Sequence, residues 1–95
     1  MSLSLSTAAN GHLTMALNGL PESYWLSLVD HMIQVRGFKR VGASIVGLDE
    51  KIHESFQCSQ FSLAAGWDIW SGHYLLAQCA AGDRYLRTLF SERIA

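Results

Sequence analysis

The chain has 95 residues, 49% hydrophobic and only 16% charged, with seven Lys and Arg against eight Asp and Glu for a net charge of −1. That apolar content excludes disorder and allows one packed core. The near-neutral balance speaks against an ordinary basic nucleic-acid module, and two cysteines are too few for a disulfide scaffold.

No apolar run approaches the roughly 20 residues of a membrane span. Met1 to Ser6 lacks the basic flank of a signal peptide. A cytoplasmic location is expected, with Cys58 and Cys79 as free, core-packed thiols. Residues 1–95 show no repeat, linker or low-complexity stretch and read as a single domain. So few charges leave apolar atoms on the surface, which a second copy or a protein partner would cover.

Leu3, Leu5, Leu13, Met15 and Leu17 alternate with small polar residues around Asn10-Gly11, the pattern of a β-hairpin. Asn18-Gly19 ends the second strand. Pro21 suits a first helical position, and Glu22 suits the positive end of the helix dipole. Trp25, Leu28, Val29, Met32 and Ile33 then follow helical spacing as one apolar stripe, with Arg36 in the last turn and Gly37 as the C-cap.

A run of strands follows. Val41, Ala43 and Ile45 alternate up to a turn at Gly47-Leu48-Asp49-Glu50. Ile52, Glu54, Phe56 and Cys58 share the next face. Phe61, Leu63, Ala65, Trp67 and Ile69 share a third. Trp70 to His73 reads as a turn, and Tyr74 to Ala80 as the returning strand. Asp83 is a good N-cap for a last helix with Leu86, Leu89, Phe90 and Ile94 on its apolar side. The order is β-β-α-β-β-β-α, with a bulge or fusion possible in the middle. It predicts an α+β two-layer sandwich, an antiparallel sheet with two amphipathic helices packed on one face.

The segment Trp67-Asp68-Ile69-Trp70-Ser71-Gly72-His73-Tyr74 carries the candidate binding residues Trp67, Asp68, Trp70, His73 and Tyr74. Alternation puts Trp67 and Trp70 on opposite faces, one in the core and one near a hairpin tip as an anchor. Asp68 beside His73 could orient an imidazole, but no nucleophile elbow accompanies them, and Asp68 with Ser71 is better read as capping the turn. No Cys-x-x-Cys, His-Glu-x-x-His or His-x-x-x-His spacing supports a metal, and no glycine-rich loop supports a phosphate. Glu54, odd among apolar neighbours, is expected at an exposed strand end or turned outward by a bulge.

No catalytic residue, metal or cofactor is assigned. The expectation is a small, non-catalytic interaction module, a homodimer or other self-associating species, using an open sheet face or edge. The alternative is a small-molecule binder or minor enzyme. Its polar site would lie near the 67–74 hairpin, drawing on His53, Glu54, Asp68 or His73.

Overall fold

Leucine alternating with serine builds the first hairpin. Its strands β1 (Ser2–Thr7) and β2 (Leu13–Asn18) pair antiparallel without interruption, Leu5 opposite Met15 and Leu3 opposite Leu17. The computed structural model describes residues 2–94; the side chain of Ile94, expected on the apolar side of the last helix, lies outside the described residues. Ala9-Asn10-Gly11 turns the hairpin. Gly11 adopts φ 82°, and the backbone N–H of Ala8 donates to the carbonyl of His12 at 2.8 Å.

Helix α1 (Glu22–Arg36) follows. Pro21 sits just outside it in extended conformation, one position earlier than expected, and Gly37 closes it in the left-handed region at φ 73°. Most of the expected stripe holds: Trp25, Leu28 and Met32 are buried and Val29 packs against the core, while Ile33 is half-buried.

Strands β3 (Lys39–Val41), β4 (Ile45–Val46), β5 (Glu50–Gln57), β6 (Ser62–Asp68) and β7 (Gly72–Ala77) lead to helix α2 (Ala80–Ile94). The order along the chain is the expected one, with the strand run resolved into these five. The fold is mixed α+β. One antiparallel sheet runs β1-β2-β7-β6-β5-β3, with β4 also on β5.

Pairing register assigns the faces. Leu3, Leu5, Met15, Leu17, Leu63, Ala65, Leu75 and Ala77 share one face and enter a single core with Phe56, Leu28, Met32, Leu86 and Leu89. Both helices meet this face: Trp25 of α1 stacks on His73, and Gly82 of α2 lies against Ala77 and Leu63. The opposite face carries Ser4, Thr14, Ala16, Ala64, Tyr74 and Leu76, none of them fully buried.

Four expectations need correction. The strand expected over Val41 to Ile45 is broken into β3 and β4, with Gly42 at φ 88° between them. In β5 the register shifts between His53 and Phe56, so Glu54 and Ser55 together oppose Ala64. This bulge reverses the parity: Phe56 turns inward with His53, while Ile52 turns out, so the two do not share a face. β7 starts at Gly72 and ends at Ala77, which places His73 within the strand and Cys79 beyond it. Finally α2 starts at Ala80, so Asp83 lies in its first turn and is not its cap.

Candidate functional site

The sheet does not gather the five candidate residues into one place. Trp67 and His73 are paired opposite each other on the core face, Asp68 and Tyr74 belong to the other face, and Trp70 sits at the tip. The tip is set by Asp68, whose Oδ1 accepts from the backbone N–H of Trp70 at 3.0 Å and of Ser71 at 2.6 Å. This carboxylate therefore caps the turn, as expected, and does not orient His73.

His73 has other company. It is 8% exposed, and its ring lies parallel to the indole of Trp25 at 4.8 Å. His53 Nε2 comes within hydrogen-bond distance of His73 Nδ1 at 3.1 Å, and Trp25 also stacks on His53 at 5.4 Å. The two histidines belong to β5 and β7 and meet above β6, where Ala65 is small enough to leave the space.

Burial pushes the pKa of both imidazoles down. Arg40 and Lys51 add to this at His53, and His53 and Lys51 at His73, with Glu22 opposing at each. The pair is therefore held neutral, one ring donating and the other accepting. Of the alternative polar site, His53 and His73 do converge. Glu54 stays on the bulge, where its carbonyl accepts from Arg40 Nη2 at 2.9 Å. Among the described residues no group of three His, Cys, Asp or Glu side chains is placed to hold a metal ion.

The hairpin tip belongs to an apolar corner. The backbone N–H of Ile69 donates to the carbonyl of Asp49 at 3.1 Å, tying the β6–β7 turn to the β4–β5 turn. Trp70 is 81% exposed and Leu48 100%; Ile69 on the same turn as Trp70, and Ile45, Val46 and Ile52 on β4 and β5, are exposed as well. On the open face Tyr74 lies across Gly66, where an added Cβ would collide with its phenol. Burial raises the Tyr74 pKa, and Glu50 and Asp68, paired opposite each other, raise it further. Trp67, beneath, receives Lys51 Nζ at 5.2 Å from its ring.

Sequence reasoning found Trp70 and Tyr74 but missed the second half of the corner. Its signal was the pair Ile45-Val46 and Leu48 flanking Gly47, apolar residues on a tight turn. Trp25 and His53 were missed as partners of His73 because their meeting depends on strand order.

A second feature lies where α1 ends. Arg36, Gly37, Lys39, Gln57, Cys58 and Ser59 line an open cleft of about 450 Å³. It shares Arg36 and Cys58 with a hollow of about 260 Å³ that Phe38, Phe61 and Tyr85 also line. The Tyr85 hydroxyl is buried with no hydrogen-bond partner among the described residues, and burial pushes its pKa up to about 12. Two cations lining one cleft with Cys58 are what the local sequence did not show.

Compared with protein-family models, curated proteins and solved structures, the chain matches none. No described helix is long and apolar enough to cross a membrane.

Proposed function

We propose that this chain is a non-catalytic interaction module that self-associates by burying its apolar corner. The observation that carries this reading is the exposure of Ile69 and Trp70 on one hairpin tip and of Leu48 on the other, the two tips joined by the Ile69–Asp49 hydrogen bond, with Ile45 and Ile52 exposed on the open face of the adjoining strands and Val46 on the other. Exposed side chains on joined tips add little to the fold and hold contact area for a partner. An aromatic side chain alone buries roughly 150–250 Å², against about 800 Å² for one side of a standard interface. A net charge of −1 leaves copies almost without mutual repulsion. Trp70 is the anchor, Tyr74 flanks it on the open face, and Trp67 supports the tip from beneath. A reducing cytoplasmic setting suits the two free cysteines.

The test is light scattering over a concentration series. The wild type should rise above the 10.5 kDa of one chain. Trp70→Ala should lower the mass at each concentration and leave the melting temperature unchanged at dilutions where the wild type is itself dissociated. A wild type that remains a monomer throughout removes the reading.

A ligand-binding reading is favoured by the cleft rather than by the 67–74 hairpin. Arg36 and Lys39 suit a small anion, and the aromatic floor of Phe38, Phe61 and Tyr85 suits a ring. Benzoate should raise the melting temperature and Lys39→Glu should abolish that rise. No shift with benzoate counts against it.

A further inference from the structure

Strand β1 is the outer strand of the sheet, and no described strand pairs with its free edge. Its six residues run in unbroken register against β2 and contain no charge and no proline. An edge of this kind offers free N–H and C=O groups and is ordinarily blunted. The opposite edge is blunted: β3 has only three residues, two of them Lys39 and Arg40. The contrast between the two edges points to a use for the first.

The strand also matches itself. Ser2-Leu3-Ser4-Leu5-Ser6 reads the same in both directions. Turned antiparallel with Ser4 opposite Ser4, a second copy sets Leu3 opposite Leu5 and Ser2 opposite Ser6. Every leucine then stays on the core face and every serine on the open face, as the pleat requires. A shift by one residue would set leucine against serine throughout. Leu3 and Leu5 are partly buried against the core, so their cross-strand pairs would extend the apolar layer across the junction.

We propose that β1 pairs with β1 of a second copy about a two-fold axis through Ser4, joining two sheets into one. This deepens the self-association reading but uses a surface separate from the Trp70 corner, since β2 lies between β1 and the β6–β7 hairpin and the free edge of β1 faces away from it. Each contact is self-complementary, so a chain using one forms a closed dimer and a chain using both grows past it.

The experiment is done in the Trp70→Ala chain, which removes the corner contact and isolates the edge. That chain should still dimerise in a light-scattering concentration series. Adding Ser2→Lys and Ser6→Lys, both at exposed positions, sets lysine against lysine twice per dimer and should weaken it about tenfold or more. Replacing the second change by Ser6→Glu sets lysine against glutamate in the same register and should restore the dimer. A Trp70→Ala chain that is monomeric at every concentration overturns the edge pairing and leaves the corner to be judged from the wild type. Equal masses with and without the two lysines overturn it as well. If Ser2→Lys/Ser6→Glu associates as weakly as the double lysine chain, the Ser4 register is wrong.

Discussion

His53 and His73 share one hydrogen bond, Nε2 to Nδ1 at 3.1 Å, beneath the indole of Trp25, which is parallel to the His73 ring within 1°. Such a bond needs one ring nitrogen to accept, so it is lost when both imidazoles are protonated.

The pair makes stability depend on pH below neutrality. Both folded pKa values are pushed below the ordinary 6.5, chiefly by burial. The folded chain then binds fewer protons than the unfolded one. Its stability is full above about pH 6.5 and is lost as pH falls through the depressed folded values. The melting temperature should be level between about pH 8 and 7 and fall as the pH drops below about 6.5. His53→Gln should lower it at the alkaline end and flatten the slope. A wild-type melting temperature level over the whole range would contradict the coupling.

Asp83 adds a second acid-sensitive contact in a lower window. Its Oδ2 lies 2.8 Å from His12 Nδ1, and its Oδ1 accepts from the backbone N–H of Leu13 at 2.8 Å, clamping α2 to the first hairpin. The His12 bond, then the Leu13 bond, holds the carboxyl below its usual 3.8. A depressed acid stabilises the fold above that value and stops doing so as pH falls through the folded one. Asp83→Ala should lower the melting temperature more than Asp83→Asn, which keeps one acceptor. It should also speed hydrogen exchange at the Leu13 amide. Unchanged exchange there would mean that the clamp holds nothing.

These contacts also show what could be read from the chain alone. Helix α1 was legible because its stripe depends only on spacing within itself, and Gly37 ends it for a local reason. Alternation along Leu63, Ala65 and Trp67 gave the core face of β6. The His53–His73 contact was not legible, since it depends on both strands flanking β6. Asp83 has the residue type of a cap, and Ala80-Ala81-Gly82 ahead of it gave no sign that the helix had already begun. Gly82 there lets the first turn approach closely: a Cβ would meet Ala77 Cβ at 3.2 Å. The Glu54-Ser55 bulge has no compositional mark, so Phe56 was placed on the core face correctly but Ile52 and His53, ahead of the bulge, were assigned the wrong faces.

Gly66 and Tyr74 oppose each other on the open face, and the phenol occupies the space a side chain would need. In Gly66→Ala the new Cβ would collide with Tyr74 and lie 2.8 Å from the carbonyl oxygen of Lys51. The substitution should cost about 1–3 kcal/mol, the usual range for overpacking. Combined with Tyr74→Ala it should cost less than alone, because only the Lys51 contact remains. Additive losses in denaturant unfolding of the double variant would show that the ring is not the obstacle.

The bulge in β5 predicts an asymmetry between two single deletions. Deleting Ser55 leaves Glu54 alone opposite Ala64, so His53 and Phe56 both keep the core face in a regular strand. Deleting Ile52 keeps the same number of residues but shifts His53 outward and brings Glu54 inward, into the space beside His73 and under Trp25. A carboxylate there meets the single His73 ring in place of the histidine pair, and burying its charge costs more than that one contact returns. The Ile52 deletion should therefore be less stable than the Ser55 deletion by on the order of 2–3 kcal/mol. It should also lose the acid dependence assigned to the histidine pair, whereas the Ser55 deletion keeps it. Equal stability of the two deletions would mean that the strand does not use its extra residue to hold Phe56 and His53 on one face.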